Sequence, residues 1–150
     1  MNAMTPTDLS LTVTRRIAAP PARVYDAWLD PQKLIRFMSN CQGMALSAAE
    51  TDPQVGGRFL LVMNTGEKDI PHAGTYLELT PHSRIAFTWE SEYSTVEGSK
   101  VTLDLMPVEN DTMFTLTHVR FASEGSRDSH RGGWTTILDG LATEHAKAAA

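Results

Sequence analysis

Among the five histidines, His118 is the one whose setting invites chemistry. It follows Phe114 and Leu116 at two-residue spacing, so on a strand it shares their apolar face. Such an imidazole has two uses. It can hydrogen-bond a polar ligand atom or exchange a proton near neutral pH. It can equally be a core histidine bonded to backbone or to a neighbouring hydroxyl. Tyr76 and Glu78 form a second pair, again two residues apart. If their face is the inner one, a phenol and a carboxyl enter the interior as a proton-transfer pair. Alternation favours the opposite assignment, with Leu77 and Leu79 inside and Glu78 toward water. Trp89 and Trp134 each bring a large apolar surface and one N–H, suited to lining a cavity or to filling a core.

Other chemistries find little support. No two histidines have His-x-His or His-x3-His spacing, and His82 reads as a turn residue. His72, His118 and His130 would meet only through the fold, so no metal and no cofactor is expected. A single cysteine, Cys41, excludes an internal disulfide and a thiolate-only zinc cluster. Ser126, Ser129 and His130 lack a nucleophile elbow, and Gly56-Gly57 lacks the surroundings of a phosphate loop. Arg15, Arg16, Arg127 and Arg131 read as scattered surface charges. Seven methionines offer soft packing that suits a tolerant pocket or an ordinary core.

These residues need elements to position them. Leu9, Leu11, Val13 and Ile17 alternate as a strand with one wet face. The prolines of Ala19-Pro-Pro-Ala-Arg-Val-Tyr-Asp-Ala-Trp28 suit a first helical turn. Asp30-Pro31 starts a second short helix, with Leu34, Ile35, Phe37 and Met38 as its apolar stripe. Strands are expected over 42–51, 58–64, 73–80, 84–90, 100–106 and 112–119. Turns fall at Val55-Gly-Gly57, 65–69 and Pro81-His-Ser83. Trp134, Ile137, Leu138 and Leu141 recur at i, i+3, i+4 and i+7 of a long last helix, extended by His130 and His145 and capped by Ser126 or Asp128. One strand, two short helices, six strands and one long helix make an α+β antiparallel sheet covered by a single helix. A long sheet curving around one helix leaves space between them, so a cavity is expected there.

The chain has 150 residues, 41% hydrophobic and 21% charged, as an ordinary globular domain does. A single domain over 9–147 is expected, with a flexible 1–8 segment and a C-terminus frayed over 148–150. Thirteen Lys and Arg against eighteen Asp and Glu give a net charge of −5, which disfavours nucleic acid as partner. No basic segment followed by an apolar run opens the chain, and no apolar stretch is long enough to span a membrane. A cytoplasmic protein without membrane insertion is therefore expected. An exposed sheet edge permits a homodimer.

Several segments in this order carry a resemblance. They are the Ala19–Trp28 run, Val55-Gly-Gly-Arg58, Gly74-Thr-Tyr-Leu-Glu78, Phe87-Thr-Trp89, Leu116-Thr-His118 and Gly133-Trp-Thr-Thr-Ile-Leu-Asp-Gly-Leu141. From about Leu9 to Leu141 the chain resembles the START-like (SRPBCC, birch-pollen-allergen-like) superfamily. Within it, it resembles the family named after the C-terminal domain of the activator of the heat-shock-protein-90 ATPase. The resemblance implies a helix-grip fold, a seven-stranded antiparallel sheet around the C-terminal helix with a cavity between. Phe37-Met38 stands where the family often has paired tryptophans. Gln54 stands where a basic residue often precedes the Gly-Gly turn.

The function expected is non-catalytic binding of a small, mostly hydrophobic molecule in that cavity. Phe59, Leu61, Phe87, Trp89, Leu103 and Phe114 would supply part of the apolar wall. Leu116, Trp134, Leu138 and Leu141 would supply the rest, with His118 and Tyr76 orienting a polar group. The alternatives are a cyclase or hydrolase using His118 with Glu78 or Tyr76, and a stimulator of a chaperone ATPase, for which no partner motif is legible.

Overall fold

The computed structural model describes residues 9–39, 45–64, 66–91, 99–121 and 123–149. The expected mobile 1–8 segment, Cys41 and the first residues of the strand expected from Gln42 lie outside them. The elements run β1 (Ser10–Ile17), α1 (Pro21–Ala27), α2 (Pro31–Met38), β2 (Ala45–Thr51), β3 (Arg58–Asn64) and β4 (Asp69–Thr80). They continue through β5 (Arg84–Thr88), β6 (Lys100–Val108), β7 (Asp111–Val119) and α3 (Glu124–Ala149). All seven strands form one antiparallel sheet in the order β1-β7-β6-β5-β4-β3-β2, so β1 and β2 are its edges. It curls around α3 as a helix-grip fold.

Local sequence explains most of these elements. Pro20 is extended at φ −69° and ψ 155°, and Pro21 opens α1 where a missing N–H costs nothing. The Asp30 carboxylate accepts the Gln32 N–H at 2.9 Å, and Pro31 follows as the first residue of α2. β7 alternates between buried Thr112, Phe114, Leu116 and His118 and their half-buried neighbours. Val101, Leu103 and Leu105 of β6, with Ile85 and Phe87 of β5, continue this inner face. Trp134, Ile137, Leu138 and Leu141 of α3 are buried with them in one core.

Boundaries of β4 and α3 differ from the sequence reading for legible reasons. β4 begins at Asp69 rather than Ala73, although it includes Pro71. Strand β5 pairs with β4 only from Tyr76 onward, and a proline is tolerated where one side of a strand lacks a neighbour. Helix α3 begins at Glu124, capped by Ser123 rather than Ser126 or Asp128, with Ser123 Oγ accepting the Ser126 N–H at 3.0 Å. Its backbone is helical to Ala149. In the β3–β4 turn, Asn64 Oδ1 accepts the Gly66 N–H at 2.8 Å; Thr65 lies outside the described residues. His82 takes its turn position between β4 and β5 at φ 67°.

Candidate functional site

The inner face of β7 brings His118 beneath the first turns of α3. Trp134 Nε1–H donates to His118 Nδ1 at 3.1 Å, and the opposite nitrogen, Nε2, lies 2.8 Å from Ser99 Oγ. Since Nδ1 accepts, the neutral ring carries its hydrogen on Nε2 and donates it to Ser99. His118 is fully buried. Burial, and secondarily the nearby His130, push its pKa down from 6.5 to about 3. His130 is also lowered by burial, against the raising effect of its hydrogen bond to the Ser126 carbonyl at 2.8 Å. Both His118 nitrogens are engaged inside the protein, which is the arrangement of a satisfied core histidine.

A separate space opens toward the other end of the sheet. Phe59 and Leu61 of β3, Tyr76 of β4, Phe87 of β5 and Trp89 just beyond it form one wall. Trp28 after α1, Leu34 and Met38 of α2, and Thr51 at the end of β2 close the other. The cavity these residues enclose is about 20 Å³, enough for roughly one water. The aromatic wall is continuous: the Phe59 ring lies 5.1 Å from Phe87 edge-on, 5.5 Å from Tyr76 and 6.3 Å from Trp89.

Two glycine positions shape this wall. Gly74 faces Phe59 across the β3–β4 ladder, and a Cβ there would stand 2.6 Å from the Phe59 ring. The ring therefore packs directly against bare backbone at Gly74. Gly56, at φ 88°, sits in the turn before β3. Its N–H donates to the Tyr76 carbonyl at 2.9 Å, while the Tyr76 N–H donates to the Gly57 carbonyl at 2.9 Å. The turn thus fixes the backbone that carries Tyr76 inward.

Tyr76 and Glu78 do not share a face. A bulge between them breaks the β4–β5 register. Tyr76 is buried, Leu77 is 45% exposed, and Leu79 packs against the core. The expectation that Leu77 points inward is corrected by this bulge. Glu78 turns outward, where its carboxylate accepts the Thr80 hydroxyl at 2.8 Å and faces Arg84 at 4.0 Å. Burial, and secondarily Asp52, raise the Tyr76 pKa to about 12, so its phenol stays neutral. The proposed pairing of His118 with Glu78 is not assembled, because the two lie on opposite faces of the sheet.

Of the residues proposed from sequence to bind a ligand, Phe59, Leu61, Tyr76, Phe87 and Trp89 line the cavity. Leu103, Phe114, Leu116, His118, Trp134, Leu138 and Leu141 are buried in the core but are not among its lining residues. Trp28, Leu34, Met38 and Thr51 complete the lining. The amphipathic stripe of α2 was the signal for Leu34 and Met38. Thr51 reaches the site through a tertiary contact, its hydroxyl donating to the Leu29 carbonyl at 2.8 Å.

Among the described residues no group of three or more His, Cys, Asp or Glu stands close enough to hold a metal ion, and no helix is long and apolar enough to cross a membrane. The family described as Activator of Hsp90 ATPase homolog 1-like protein matches residues 18–146. Similar solved structures include protein CV1439 from Chromobacterium violaceum, at 26% identity and TM-score 0.79, covering 91% of this chain and 96% of that one. CalU16 from Micromonospora echinospora is 26% identical at TM-score 0.68, covering 88% of this chain and 73% of that one. The AHSA1-like protein from Aeromonas hydrophila, 21% identical at TM-score 0.77 with 94% of each chain covered, shares the fold. No curated protein matches the sequence.

Proposed function

We propose that this chain, which belongs to the Activator of Hsp90 ATPase homolog 1-like family, binds a small, mostly hydrophobic molecule between its sheet and helices without catalysing a reaction. One observation carries the reading. The cavity beneath α2 is lined almost wholly by aromatic and aliphatic side chains, with only Tyr76, Thr51 and two indole N–H groups as polar elements. Desolvating apolar surface at about 25 cal/mol per Å² makes such a lining a binding surface without any further chemistry. Among the described lining residues none is a carboxylate, imidazole, thiol or amine, so acid–base work has no pair to perform it. The cavity holds about one water, so a larger guest is admitted by movement of Leu34 and Met38 of α2. Methionine at that point suits the adjustment.

Native mass spectrometry of the purified protein, followed by solvent extraction and a thermal-shift panel of hydrophobic compounds, tests this. The expected result is a bound apolar molecule or a stabilising compound, with binding lost in a folded Leu61→Phe variant that fills the cavity. A protein that carries nothing and is stabilised by nothing in the panel overturns it. The family description also motivates a chaperone assay. Stimulation of Hsp90 ATPase turnover by saturating protein, unaffected by Leu61→Phe, would favour that second reading.

A further inference from the structure

An indole N–H can only donate. The chain has three tryptophans. Trp134, which is not among the cavity-lining residues, donates to His118. Trp28 and Trp89 both line the cavity, are 4% and 3% exposed, and find no partner for Nε1. Among the described residues the only other buried side-chain donor without a partner is Arg120 Nε. A buried N–H left unpaired is destabilising, and here two such groups belong to side chains that line one small apolar space.

We propose that the occupant of this cavity is a neutral, flat, apolar molecule bearing a carbonyl or ether oxygen, held by the N–H groups of Trp28 and Trp89. The proposal rests on the binding function argued above and specifies its ligand class. The occupant is an acceptor because both unpaired groups are donors. It is neutral because no Lys, Arg or His is among the described lining residues, and a carboxylate buried there would lack a counter-charge. The Thr51 hydroxyl hydrogen is already engaged by Leu29, and the Tyr76 phenol remains un-ionised, so neither supplies charge. A flat body matches the tilted and edge-on aromatic rings of the wall.

The test uses acetophenone and α-methylstyrene, planar molecules of the same shape that differ by C=O against C=CH2. Titrations of the full chain labelled with 15N-tryptophan follow three indole signals, assigned with Trp28→Phe and Trp89→Phe. Acetophenone is expected to bind about tenfold more tightly than α-methylstyrene. It should move the Trp28 and Trp89 indole protons downfield and leave Trp134 in place. Equal affinities, with the same indole response to both molecules, would overturn this inference and leave the hydrophobic-binding reading standing. Absence of binding by either, up to their solubility in water, would overturn both. Because the decisive comparison is made on the unmodified protein, it does not depend on either variant folding.

Discussion

Lowering the pH perturbs the cluster that joins α3 to the sheet. The folded His118 has its pKa lowered from 6.5 to about 3, chiefly because burial disfavours the imidazolium and secondarily because His130 stands beside it. With the folded pKa below the unfolded one, the unfolded chain takes up the proton first. Stability from the neutral ring is thus fully present above pH 6.5 and declines as the pH falls toward 3. Because the unfolded imidazole is only half protonated at pH 6.5, descent from pH 6.5 to 4.5 corresponds to roughly 2 kcal/mol, a large share of the 5–15 kcal/mol that holds a typical domain together. His130 is shifted in the same direction and adds to the effect. Glu90, held below its ordinary 4.5 chiefly by the Arg58 guanidinium, contributes only at lower pH. Urea unfolding followed by tryptophan fluorescence, from pH 6.5 down to pH 4.5, measures the loss in the wild type and in His118→Gln. The glutamine amide offers a donor toward Ser99 and an acceptor toward Trp134 but does not titrate. The wild type should lose roughly 2 kcal/mol more than the variant across the window. Parallel curves would refute the reasoning, as would an NMR titration placing His118 near its ordinary 6.5.

Three substitutions probe the supports of the site. Gly74→Ala sets a methyl against the Phe59 ring and the Thr88 carbonyl. It should cost about 1–3 kcal/mol in urea unfolding and, by pressing Phe59 toward the cavity, weaken acetophenone binding as well. Trp134→Phe keeps a ring under α3 but strips the donor from His118 Nδ1. A loss of about 1–3 kcal/mol is expected, and a thermal midpoint equal to wild type would count against the hydrogen bond. Asp30→Ala removes the α2 cap and should cost about 1 kcal/mol by chemical denaturation; no loss would mean that packing alone sets the start of α2.

The sequence by itself determined the elements whose signals are local. Alternation of Phe114, Leu116 and His118 placed β7 and its inner face, since pleating forces every second side chain to one side. Asp30-Pro31 marked the start of α2 because an acceptor side chain and a missing N–H both suit a helix entry. The spacing of Trp134, Ile137, Leu138 and Leu141 placed the buried stripe of α3. Tertiary structure alone decided the rest. Strict alternation puts Tyr76 and Glu78 on one face, and a bulge put them on two. That bulge lies where β4 meets β5, beside the Tyr76 backbone anchored by the Gly56-Gly57 turn, so no window around Tyr76 contains its cause. Likewise His118 reads in sequence as either a ligand or a core residue. The choice fell to Ser99 and Trp134, distant along the chain, because an imidazole's role depends on what its two nitrogens meet in space.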